Sequence, residues 1–274
     1  DRKTLRERAD LRIGALGSGS DYTPFLQHLG IASMNIGYGG ENGGGSYHSV
    51  YDSFDHYARF GDPGFVYGVT QAQTSGRIVL RLADADILPF DFEDFTETMA
   101  QYVQEVMKLA DDMREETEEL NRKIREKSFD LAADPTQTWI TPKPGDPVPY
   151  LDFSPLQNAL ALLRRSTQHF ADARKSSGVP ERPLQAERAR SLDRLFMDFE
   201  RALTTKEGLP GRPWYVHQIY APGRYTGYGV KTLPGVREAI EMRRWKEAGE
   251  QIVVTAGALE RASGVIDRGT LLLK

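Results

Sequence analysis

The sequence of 274 residues contains no cysteine. That excludes disulfides, thiolate zinc sites and a cysteine nucleophile. Positive charge is not in excess either: 35 Lys and Arg stand against 39 Asp and Glu, for a net charge of −4. Such a balance gives no sign of a polybasic surface for nucleic acid or an acidic membrane. No run reaches the roughly 20 apolar residues that a membrane-spanning helix needs. Templates for nucleotide and acyl-enzyme chemistry are also missing. There is no G-x-G-x-x-G, no P-loop lysine and no G-x-S-x-G.

What is present suits a globular chain of one large or two ordinary domains, with 39% hydrophobic and 27% charged residues. One stretch concentrates chemistry: Gly43-Gly44-Gly45-Ser46-Tyr47-His48-Ser49-Val50-Tyr51-Asp52. The glycine run lets the backbone take positive φ and pass close to another group. Neutral imidazole is the commonest metal ligand, and its second nitrogen is usually held by a carboxylate or carbonyl. Two readings stand at this point: His48 ligates a metal, or the stretch is a glycine-rich surface loop with an exposed histidine.

Residues 11–16 read as a short strand, and 17–21 as a tight turn with Ser20 or Asp21 capping a helix. Tyr22, Phe25, Leu26 and Leu29 share a face of that helix, and Gly30 ends it. Residues 31–36 read as a second buried strand. Strand, helix and strand at this spacing predict an α/β layer with a parallel pair. The turn then aims backbone N–H groups and Ser20 at the strand ends, where open α/β sheets bind ligands. A further helix starts at Asp62-Pro63 and runs to about Asp84. Pro89 breaks the pattern, which places a domain boundary between residues 86 and 87.

Beyond it the periodicity is helical. Phe95, Met99, Tyr102, Val106, Ala110 and Met113 form one stripe, and 115–127 extends it as a charged, solvated helix. The proline-rich 134–149 is a loop. Ser154-Pro155 opens the next helix as N-cap and first helical residue, with Leu156, Leu160 and Leu163 behind it. Leu192, Phe196 and Phe199 mark another. Residues 208–235 are irregular, and a last helix is expected over 236–266. This pattern predicts a four-helix bundle whose surplus apolar surface is covered by a second copy.

Several motifs together resemble the glutamate carboxypeptidase II group, which also includes the transferrin receptor. They are Leu16-Gly17-Ser18-Gly19-Ser20-Asp21, Leu29-Gly30-Ile31-Ala32-Ser33, Tyr47-His48-Ser49-Val50-Tyr51 and Leu88-Pro89-Phe90-Asp91. Gly208-Leu209-Pro210-Gly211-Arg212-Pro213, Ile219-Tyr220-Ala221-Pro222 and Pro234-Gly235 continue the series in the family's order.

The resemblance implies that residues 1–86 are the C-terminal portion of a zinc peptidase α/β domain and 87–274 a transferrin-receptor-like dimerisation domain. In the peptidases two zinc ions share a bridging aspartate and a water, and a glutamate of an upstream Glu-Glu pair is the general base. Those elements are not in this chain, and Glu115-Glu116 in its charged helix is no substitute. His48 matches the family's last zinc ligand. Tyr47 matches the tyrosine that steadies the tetrahedral intermediate. Ser20 stands where the carboxypeptidases place a substrate-side asparagine, and Tyr228 matches a tyrosine of the crossover loop that binds the substrate's terminal carboxylate.

Departures bear on specificity. Gly227 stands where the carboxypeptidases carry lysine, and Asn35 and Gly37 where they carry arginines. Bidentate arginine is the natural reader of a carboxylate, so specificity for acidic C-terminal residues is open, with Arg224, Arg77 or residues outside this chain as the substitutes to weigh. The expected function is therefore a C-terminal portion of a dizinc exopeptidase, inactive alone, with zinc absent or weakly held. Its partners would be a second copy and, in the longer protein, a peptide. No nucleic acid or membrane contact is expected, and the resemblance implies an extracellular or periplasmic setting. The alternative is a zinc-free, transferrin-receptor-like module for dimerisation and partner binding. His48 separates the two, because a zinc-free relative has no chemical need for it.

Overall fold

The computed structural model describes residues 13–39, 46–134, 136–138, 140–179 and 184–274. In chain order the elements are α1 (Tyr22–Gln27), α2 (Phe54–His56) running into a wide π-type turn (Tyr57–Gly61), and α3 (Val66–Ala83). Then come α4 (Phe92–Arg125), α5 (Ser128–Ala132), α6 (Ser154–Ser177) and α7 (Ala186–Ala202). An antiparallel pair, β1 (Tyr220–Pro222) and β2 (Val230–Thr232), precedes α8 (Pro234–Glu241) and α9 (Trp245–Leu273). The structure is mostly helical.

The helix ends follow from local chemistry. Asp91 opens α4 as its N-cap, its Oδ1 accepting from the N–H groups of Glu93 (2.9 Å) and Asp94 (3.3 Å). α4 spans 34 residues, about 50 Å of helix. α6 carries Pro155 in its first turn and stops at Gly178 in the left-handed region (φ 74). Ser154 is already helical there, and the carboxylate of Asp152 accepts its N–H at 2.9 Å. The N-cap is thus Phe153, one residue earlier than the Ser154 expected from sequence, and its side chain makes no capping bond.

One core joins the long helices. Met99 and Val106 of α4, Leu156 and Leu163 of α6, Leu192 and Phe196 of α7, and Ile252, Leu259 and Ile266 of α9 are buried in it. The seven-residue steps in α4, α6 and α9 and the four-residue step in α7 put each set on one face. α9 packs along α6, α7 and α8, and α4 packs on α6. Phe92 is ringed by Phe170 (5.3 Å), Phe196 (5.5 Å) and Phe199 (4.8 Å) in edge or tilted geometry. Full burial of one such side chain contributes about 1.5–3 kcal/mol.

Three sequence expectations need correction. Residues 13–16 and 31–36 form no strand, and among the described residues the one ladder is β1–β2. A parallel pair is stable only inside a sheet covered on both faces. Among the described residues no neighbouring strand flanks either segment, and Ile13 and Met34 are exposed. Residues 11 and 12 of the first expected strand lie outside the described residues. Only Leu26 of the predicted α1 stripe is buried, with Phe25 and Leu29 about half exposed.

The last expected helix is two helices. Arg243 takes φ 55, its N–H bonds to the carbonyl of Ile240 (2.9 Å), and the Arg244 N–H bonds to that of Ala239 (2.8 Å). That is a Schellman closure carried by arginine instead of glycine. The Arg243 guanidinium holds the closure in place through the carbonyl of Asp146 (3.0 Å) and the hydroxyl of Thr117 (2.8 Å). α9 then runs on to Leu273, past the expected end.

Candidate functional site

The turn after residue 16 is shaped by what it touches. A Cβ on Gly17 would sit 1.9 Å from the carbonyl oxygen of Tyr228, so only glycine fits. The Ser18 N–H bonds to that same oxygen at 3.0 Å. Gly19, at φ 93, lies under the Tyr228 ring, with a would-be Cβ 2.6 Å from Cδ1. Gln27, fully buried in α1, pins the turn from behind by donating to the carbonyls of Leu16 and Gly17. Its own carbonyl accepts the Val216 N–H at 2.9 Å. His28 stacks on Trp214 at 4.8 Å and bonds to its carbonyl at 2.7 Å. Residues 16–30 are therefore docked on the irregular segment 203–230. Ser20 and Tyr228, two of the sequence-predicted site residues, stand exposed on the two sides of this seam.

Tyr47 and His48 occupy a turn of their own. The Ser49 N–H and hydroxyl bond to the Ser46 carbonyl at 3.0 and 2.7 Å. His48 takes φ 59 at the third position, where type II turns ordinarily place glycine. Its ring stacks on Tyr47 with centroids 3.8 Å apart. Both are exposed. Strained backbone at a chemically capable residue marks a candidate site. Gly43, Gly44 and Gly45 lie outside the described residues. Among the described residues no hydrogen bond or ring contact joins this turn to Ser20 or Tyr228, and no three His, Asp or Glu gather as a metal site. A catalytic zinc takes about three protein ligands, and the described residues do not bring such a set together.

Behind the His48 turn, Asp62 anchors α3. Its carboxylate accepts from the N–H groups of Tyr67 (3.1 Å) and Gly68 (2.8 Å) and from the Tyr57 hydroxyl (3.2 Å). Burial works against the charge. The hydrogen bonds from the Gly68 and Tyr67 N–H groups, the Tyr57 hydroxyl and the Val66 backbone together outweigh it and hold the carboxyl below its ordinary range. Tyr57 is pushed up by burial and by the Asp62 charge it donates to.

The crossover holds a second buried network, to which the sequence reading gave no role. His217 is fully buried, with Nε2 on Glu200 at 2.8 Å and Nδ1 accepting from Ile219 (3.1 Å) and Tyr220 (3.2 Å). That pattern fixes the Nε2–H tautomer. Burial, with Glu200 and Tyr102 nearby, drives the Tyr220 hydroxyl far above its ordinary pKa, so it stays neutral. Glu238 pairs with Arg212 at 2.8 Å and accepts the Arg224 N–H at 2.7 Å. Arg224 spends its guanidinium on the Pro210 carbonyl at 2.8 Å. The sequence signal was the arginine inside the Gly-Leu-Pro-Gly-Arg-Pro turn. Arg77 and Gly37 stand exposed.

Residues 151–267 match the family model of the transferrin receptor-like dimerisation domain. The chain is 33% identical over 268 residues to a probable glutamate carboxypeptidase LAMP1 of Arabidopsis thaliana, covering 95% of this chain and 32% of the relative. It is 33% identical over 258 residues to a probable glutamate carboxypeptidase of Arthroderma benhamiae, covering 93% and 30%. It is 29% identical over 268 residues to the aminopeptidase NAALADL1 of Rattus norvegicus, covering 93% and 31%. The chain thus spans about a third of the length of the curated relatives it matches.

Proposed function

We propose that this chain, a member of the glutamate carboxypeptidase and transferrin receptor family, serves a longer dizinc exopeptidase as its C-terminal portion. In this reading residues 1–86 complete the peptidase domain. Residues 87–274 form a four-helix bundle that pairs with a second copy and lends the 223–229 loop to the substrate pocket. His48 supplies one imidazole to a metal centre whose other ligands come from outside this chain. Zinc there would lower the pKa of bound water and polarise the scissile carbonyl.

The chain's own residues then have defined tasks. The Tyr47 hydroxyl, carried on the same turn as His48, donates to the oxyanion that develops on the scissile carbonyl. Ser20 and Tyr228 hold the substrate from opposite sides of the seam. The chain by itself is inactive, since one imidazole cannot hold a catalytic zinc.

The observation that supports this most is the docking of the Ser18–Gly19 turn under Tyr228. It joins the two stretches that the family resemblance assigns to substrate, although they lie at opposite ends of the chain. The test is hydrolysis of short peptides by the longer protein carrying this chain. Turnover abolished by a chelator, restored by zinc and lost in His48→Ala is the expected result. A protein that dimerises but neither hydrolyses peptides nor takes up zinc would be the non-catalytic receptor-like module instead.

A further inference from the structure

We propose that Glu238 is the positioning residue of the 223–229 loop, a buried clamp that sets where Tyr228 stands. The role rests on the reading that this loop reaches substrate. The clamp itself rests on geometry. The Glu238 side chain is 7% exposed and that of Arg212 14%. One carboxylate oxygen takes the Arg212 guanidinium at 2.8 Å, and the other takes the backbone N–H of Arg224 at 2.7 Å. The first arm grips the 208–213 turn, and the second grips the base of the loop. Arg224 closes the triangle by donating to the Pro210 carbonyl at 2.8 Å. Gly211, at φ 68, has no room for a Cβ against that guanidinium.

Above the clamp the loop is a closed unit. The Gly223 N–H bonds to the Gly229 carbonyl at 2.9 Å, and the Thr226 hydroxyl bonds to the same oxygen at 3.0 Å. Tyr225 and Tyr228 stand exposed at its tip. Below it, α8 is fastened to α4 by Arg237–Glu105 (2.8 Å) and to β2 by Lys231–Glu241 (2.6 Å). The loop is therefore held at the Arg224 N–H, and Glu238 ties that point to the helical core. Glu238 touches no substrate; it acts through Tyr228.

Three measurements test this. In the unaltered chain, the Arg224 amide exchanges with solvent about 100-fold or more slower than the Tyr225 amide; equal rates overturn the clamp. In the double variant Arg212→Met, Glu238→Leu, which leaves no unpaired buried charge, helix content persists. Trypsin then cuts after Arg224 about tenfold faster. An unchanged cutting rate in this folded variant overturns the proposal. If the double variant does not fold, Glu238→Gln, which keeps an oxygen for the Arg224 N–H but not the charge, gives an intermediate cutting rate on the same scale; no change there overturns it equally.

In the longer enzyme the same variants raise KM about tenfold with kcat nearly unchanged. A fall in kcat alone would mean that Glu238 does not act through substrate placement. Absence of peptidase activity in the unaltered enzyme would sink the exopeptidase reading while the exchange and trypsin results still decide the clamp.

Discussion

Gly17→Ala is the sharpest test of the seam that carries the candidate site. The added methyl would meet the Tyr228 carbonyl oxygen at 1.9 Å and the Val230 nitrogen at 2.9 Å. Both are backbone atoms, one in the closed loop and the other at the start of β2, so no side chain can swing away. Carbon and oxygen need about 3.3 Å, so the two segments must part by more than an ångström. That breaks the Ser18 N–H bond to Tyr228, worth about 0.5–1.5 kcal/mol. It also strains the hold of the buried Gln27 amide on the carbonyls of Leu16 and Gly17, and an unpaired buried amide costs about 1–3 kcal/mol. Together the seam loses about 2–4 kcal/mol, or a rise of about 30- to 1,000-fold in local opening. Hydrogen exchange with mass spectrometry reads this directly. Peptides covering 14–27 and 223–230 should lose protection while those of α9 keep theirs. Unchanged protection in both, or an equal loss across α9, would refute the docking argument.

Other consequences follow from the same structure. Leu259→Ala removes a fully buried side chain from the centre of α9 and should cost about 2–5 kcal/mol, read as a lower denaturant midpoint at unchanged slope. Glu200→Ala leaves the buried His217 N–H without its partner and should cost about 1–3 kcal/mol; a loss below a few tenths would show that the network is not structural. The folded carboxyl of Asp62 titrates below its unfolded value. Its contribution to the start of α3 is thus fully present above the ordinary carboxyl range and is lost as pH falls through the lowered value. Amide exchange at Tyr67 and Gly68 should accelerate in that acid window, and in Asp62→Ala at neutral pH as well. The chain should sediment as a dimer at micromolar concentration; monomer throughout would count against pairing by the helical part.

The helices were legible because their signals are local. The stripe from Phe95 to Met113, the break at Pro89 and Pro155 in the first turn of α6 each act within a few residues. The strands at 13–16 and 31–36 were misread because a buried parallel strand is defined by neighbours that the sequence does not name. The split between α8 and α9 was missed because arginine, not glycine, occupies the left-handed position at 243. His48 was singled out by its glycine-flanked stretch, whereas the parts proposed for Tyr47, Ser20 and Tyr228 rest on family resemblance. The contact between Gly17 and Tyr228 and the Glu238 clamp both join residues far apart in the chain. No spacing rule reports those, although the glycines at 17, 19 and 211 were the visible trace of close approach.

Zinc bound per protomer tests the central claim most directly. It is measured by elemental analysis of the longer protein with His48 intact and with His48→Ala. The account predicts two ions falling to one, with the dimer unchanged. The same zinc content in both proteins would contradict it.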